Sequence, residues 1–253
     1  MAMKESLKVL ALSRKLLSAP SSSDHFAAAQ AQCGVAVELH GGVLQLGDVK
    51  NGLAAFAVVR SLFETVIGAV ILANHPEKLE DFGKHGRMTL LRLARSVSDG
   101  TLAKKQMTVT LKGVADADYD ALYDSFKPTR NWHKMKREDA FNEAFQGAKI
   151  YKAFYDGFYG RTSAIAHGEP FNVFQHLDAE AKTWKITARP AEWKDKWPTL
   201  AEVMAMFLML HLIERVSKTF ALGLEADWAV LNAEVEALAG QQMAPARALP
   251  YVK

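Results

Sequence analysis

Residues 53–73 read LAAFAVVRSLFETVIGAVILA, a run whose apolar side chains surround a helix on nearly every side. Its length suits a membrane, but Arg60 and Glu64 fall near its middle, where each charge is costly in lipid. A helix that is apolar almost all round belongs in the interior of a helical assembly. The run therefore reads as a core helix over about residues 50–74. It stops at His75-Pro76, because proline cannot continue a helix and pushes the residue before it out of the α region. Arg60 and Glu64 are i,i+4 neighbours, so they should pair with one another or with partners across the bundle.

Working outward, most of the chain has the marks of helix. HFAAAQAQCGVAVELHGGVLQL (25–46) has helical length, with a cap at Ser23 or Asp24, although Gly34, Gly41 and Gly42 weaken it. Pro76 suits the first turn of a third helix, PEKLEDFGKHGRMTLLRLARSVSDG (76–100), with acids early and Arg92 and Arg95 late, as the macrodipole prefers. A short helix is expected from Asp116 to Phe126, stopped by Pro128, and Met107 to Leu111 fits a strand or a continued helix. RNWHKMKREDAF (130–141) reads as a surface loop entering a helix at about Arg137. FNVFQHLDAEAKTWKITARP (171–190) alternates apolar and polar residues about an Asp-Ala-Glu-Ala turn, the pattern of a β-hairpin over 171–189. Residues 199–224 form a Met- and Leu-rich core helix opened by Pro198, and 226–239 a last amphipathic one. The expected fold is mainly α, a helical bundle with a small inserted β-hairpin. It forms one domain over 1–253, with 1–22 and 241–253 as flexible ends.

Of 253 residues, 49% are hydrophobic, enough for a sizeable core. The formal charge of +3 is compatible with nucleic acid but identifies no partner. The single cysteine, Cys33, rules out an internal disulfide, and Met1 to Leu17 lacks the long apolar stretch and cleavage site of a secretory signal, so the chain reads as cytoplasmic with no membrane partner. There is no GxxxxGK[ST] loop, no GxGxxG after a strand and no GxSxG elbow. His25, His40, His75, His85, His133, His176 and His211 have no HxxxH pairing and no Cys or acidic partner at metal spacing, so neither a metal nor another cofactor is expected.

The candidate site lies in YKAFYDGFYGRTSAIAH (151–167), followed at once by Gly168. Tyr155, Tyr159, Ser163 and His167 are each i,i+4 from the next and share one helical stripe. Arg161 lies off that stripe, but its long stem is expected to let the guanidinium reach alongside the His167 ring. The same residues also fit a plain structural role, with His167 capping the helix before Gly168 and the tyrosines packing the core.

RSLFE (60–64) in one long helix, together with an aromatic helix ending Y-x3-S-x3-H-G at Tyr159, Ser163, His167 and Gly168, resembles the DUF5677 group of uncharacterised helical proteins over about Leu53 to Gly168. Arg161 to His167 is also similar to the R-x4-6-H motif of the HEPN superfamily. That resemblance implies a four-helix core with extra helices, and either a metal-independent endoribonuclease of the toxin or phage-defence kind or a non-catalytic module binding a protein, nucleotide or RNA. Thr162 stands where HEPN nucleases often place Asn, Asp or His directly after the arginine.

Metal-free RNA cleavage needs a base for the 2′-hydroxyl, an acid for the leaving oxygen and positive charge at the phosphate. His167, in the last helical turn, suits acid–base work, and Arg161 suits the phosphate. Ser163 would orient either group, and Arg60 and Glu64 would face the pair across the bundle. Tyr155 or Tyr159 would stack on a base. One histidine serves poorly as both acid and base, so a symmetric homodimer is expected, with an antitoxin or other regulatory protein as a further partner. A second RNA surface is KPTRNWHKMKR (127–137), where Lys127 and Arg130 would meet phosphates and Trp132 and His133 would stack on bases.

Overall fold

In the computed structural model, which describes residues 2–96, 116–127, 131–146 and 196–243, the run at 53–73 forms most of helix α3 (Gly52–Asn74). Before it come α1 (Ala2–Ser18) and α2 (Asp24–Asp48). After it come a 3-10 turn (Pro76–Lys78), α4 (Leu79–Ser96), α5 (Asp116–Phe126), α6 (Arg137–Phe145), α7 (Trp197–Phe220) and α8 (Glu225–Met243). By length and composition α3 could cross a membrane, yet 67% of its most apolar window is buried by neighbouring helices, as a core helix requires.

Local chemistry sets the boundaries. The Ser23 side chain accepts from the Phe26 N–H at 3.1 Å and opens α2; the Asn51 side chain accepts from the Ala54 N–H at 3.4 Å and opens α3. His75 closes α3 directly before Pro76, and Pro198 sits in the first turn of α7. Gln146 and Ala221 end α6 and α7 in the left-handed region, at φ 46° and 51°.

α2 and α3 are antiparallel: His25 bonds the Leu72 carbonyl at one end, and Gly42 lies against Val58 at the other. α7 runs beside both, with Trp197 edge-on to Phe56 and Phe220 packed on Phe26 at the far end. On the opposite flank α8 is pinned to α7 by a Trp228 Nε1 to Leu210 carbonyl bond of 2.9 Å, and α1 pairs with α8 through Lys8–Glu234 and Lys15–Asp227. α6 docks on α3 through Phe63, Phe141 and Phe145.

Four sequence expectations are changed, refined or left aside here. The N-terminal stretch expected to be a flexible end is helix α1 to Ser18, because Val9, Leu12 and Leu16 form a stripe that is buried against the bundle. α2 runs unbroken through Gly34, Gly41 and Gly42; each costs about 1 kcal/mol relative to alanine, and burial of Phe26, Ala29, Cys33, Ala36 and Val43 offsets it. The described residues contain no strand, and the β-hairpin expected at 171–189 lies outside them. At the other end α8 extends to Met243, past the expected boundary at 241.

Candidate functional site

Arg60 and Glu64 occupy successive turns of α3, with Arg60 Nη2 3.5 Å from Glu64 Oε1. The Arg60 side chain is 15% exposed and that of Glu64 52%, so the guanidinium is held against the protein while the carboxylate reaches outward. Both also engage groups beyond this pair. An intrahelical pair in this setting contributes a few tenths of a kcal/mol, too little to explain two charges in an apolar segment by itself.

One turn beyond Glu64, Gly68 leaves a shallow seat filled by the Trp132 indole, whose Cζ2 and Nε1 lie 3.6 Å from where a Cβ would stand. The 131–135 loop is thereby laid on the same helix as the Arg60–Glu64 pair, although the two are far apart in sequence. Trp132 also packs nearly perpendicular to Phe82 of α4, with ring centroids 5.2 Å apart, so the partly buried indole is engaged by the protein itself. His133 is buried, and its Nδ1 accepts from the Met135 N–H at 3.2 Å, which leaves the proton on Nε2. Burial first, then Lys78 and His85, push the His133 pKa down to about 4, so the ring is neutral at physiological pH. Lys134 pairs with Asp81 at 2.8 Å and covers the Phe126 ring at 4.9 Å. Lys127 is exposed at the end of α5. The segment read as an RNA surface thus turns its aromatic and imidazole groups inward, and Lys134 joins α4 to the loop.

Arg161, Ser163, His167, Tyr155, Tyr159 and Arg130 lie outside the described residues. Among the described residues, no group of three or more His, Cys, Asp or Glu side chains is placed to hold a metal ion.

Two histidines that the sequence offered only as poor metal-ligand candidates have defined settings in the structure. His75 Nδ1 lies 2.9 Å from Glu77 Oε1, and its Nε2 lies 3.0 Å from Glu143 Oε1 of α6. Burial lowers its pKa, but hydrogen bonds and charge from Glu143 and Glu77 outweigh that and raise it above 6.5. His40 is fully buried on α2, with neither ring nitrogen hydrogen-bonded among the described residues, and burial lowers its pKa to about 4. No sequence signal pairs Glu143 with His75, 68 positions away.

The amino-acid sequence of this helical bundle matches, over residues 36–183, the model of the family described as "Family of unknown function (DUF5677)". The match covers more than half of the chain, so the protein belongs to the DUF5677 family. No curated protein and no solved structure gives a match.

Proposed function

We propose that the protein is a metal-independent endoribonuclease in which His167 moves the proton and Arg161 carries the phosphate charge. The observation that carries this reading is the Arg161-x5-His167 spacing at the end of an aromatic stretch, inside the family span of 36–183. The placement of Arg60 supports it: a guanidinium pinned on the central helix offers fixed positive charge, which stabilises a crowded phosphate more than a mobile one does. Ser163 orients the imidazole, Glu64 positions Arg60, and a homodimer supplies the second histidine. A toxin or defence effector of this kind would be held in check by a regulatory protein.

A second reading, a non-catalytic helical module that binds a protein, nucleotide or RNA, is favoured by the inward turn of Trp132 and His133 and by the Lys134–Asp81 pair. One assay separates the two. Purified protein is incubated with a mixed RNA in the presence of a chelator, beside His167→Ala and Arg161→Ala. The ribonuclease reading expects cleavage by the wild type and a loss of at least about a hundredfold in each variant. Intact RNA in every lane, or equal cleavage by His167→Ala, overturns it and leaves the module.

A further inference from the structure

A neutral imidazole carries one N–H, so it can donate to one carboxylate only. At His75 both ring nitrogens stand within 3.0 Å of a carboxylate oxygen, Nδ1 at Glu77 and Nε2 at Glu143. The arrangement is favourable when both nitrogens donate, that is, when the ring is imidazolium. Once the ring is neutral, one of the two contacts sets a nitrogen lone pair against a carboxylate and is lost.

The three residues join separate elements. His75 is the closing residue of α3, Glu77 lies in the 3-10 turn that leads to α4, and Glu143 lies in the last turn of α6. Other charged or titratable groups stand around this corner. Lys78 is on the 3-10 turn beside Glu77; on α7, Arg215 donates to Gln146 at 2.9 Å and Lys218 pairs with Glu214; on α2, His25 bonds the Leu72 carbonyl. Among the described residues, Glu77 and Glu143 are the charged groups paired with the His75 ring. Glu143 also sits at the negative end of the α6 dipole, where an unpaired carboxylate is disfavoured and a neighbouring cation is favoured.

We propose that His75 is a proton-operated clasp, with its imidazolium bridging Glu143 and Glu77 and so tying the last turn of α6 to the α3–α4 corner. When the ring loses its proton the clasp opens on one side, and α6 keeps its aromatic anchors on Phe63 while its last turn loosens. The purpose of the device rests on the ribonuclease reading: Arg161 and His167 follow α6 in the sequence, so acidification would steady the helix that precedes them.

The test uses full-length protein without RNA, so its outcome is independent of whether the protein cleaves RNA. Amide exchange of residues 137–146 is measured at about pH 6 and about pH 8.5, corrected for intrinsic rates. The wild type should be more protected at the lower pH, by about threefold or more. Glu143→Gln keeps a hydrogen-bonding partner for a neutral ring, so it should retain the fold and lose the pH response. NMR titration of the His75 ring should place it above an ordinary histidine and bring it down in Glu143→Gln. Equal protection at both pH values, an unchanged pH response in Glu143→Gln, or a His75 titration that this variant does not move overturns the proposal.

Discussion

The His211 imidazole, on α7, donates from Nε2 to the Ala144 carbonyl of α6 at 2.9 Å, and its ring lies 4.7 Å from that of Phe145. Ala144 is in the last turn of α6, where carbonyls have no partner within their own helix. A side chain of the central bundle therefore caps a peripheral helix. His211→Leu removes the donor, leaves a buried carbonyl unsatisfied and should destabilise the protein by about 1–3 kcal/mol. Chemical denaturation of the two proteins checks this, and equal midpoints would show that the cap contributes nothing.

His40 ties stability to pH. In the folded chain its pKa is about 4, against 6.5 for the free side chain. As pH falls through 6.5 the unfolded chain takes up a proton that the folded chain refuses until about pH 4. The stability lost across that window from this group is about 3 kcal/mol, and nothing further is lost below it. His40→Leu should reduce the slope of stability against pH in this window, leaving the part due to His133 and His211, which burial also holds low. At neutral pH the variant should gain about 1 kcal/mol, because two unpaired buried nitrogens disappear. Thermal melts between pH 7 and pH 4 measure both effects, and an unaltered acid slope would clear His40 of the role.

Gly68 separates two kinds of substitution. A Cβ there would meet Trp132 at 3.6 Å, an ordinary contact, so Gly68→Ala should be tolerated and gain about 0.5–1 kcal/mol from helix propensity. Gly68→Leu must push the indole off α3. A fall in stability of about 1–3 kcal/mol is expected, with a red shift of tryptophan emission as the ring meets water. Normal emission and stability in Gly68→Leu would mean that the loop does not depend on this seat.

Arg60 tests the link between the central helix and chemistry. Its pair with Glu64 contributes only a few tenths of a kcal/mol, but the guanidinium is largely covered and makes further contacts, so Arg60→Gln should lower stability by about 1–2 kcal/mol. If the guanidinium faces the RNA phosphate, cleavage should fall at least about tenfold in the same variant. Parallel denaturation and cleavage measurements decide the matter, and a variant that loses stability while keeping full activity assigns Arg60 to structure alone.

Much of the helical order is written locally. Ser23, His75-Pro76 and Pro198 act on their own backbone or on that of their nearest neighbours, so their effect is readable without knowing what packs against them. Apolar residues all round 53–73 likewise require that other helices cover them. The direction in which a loop side chain turns is a different matter. KPTRNWHKMKR has the composition of a solvated, phosphate-binding segment, yet Trp132 fits a seat made by Gly68 and His133 is buried beside it.

The sequence by itself determined where α2, α3 and α7 begin or end and that α3 would be a core helix, because caps, prolines and apolar periodicity act within a few residues of the chain. Only the tertiary structure decided that α1 packs into the bundle, that Trp132 rests on α3, that His40 is buried and that Glu143 meets His75. Those contacts join residues far apart in the chain, and they form only because burying the apolar faces of the helices fixes their relative positions.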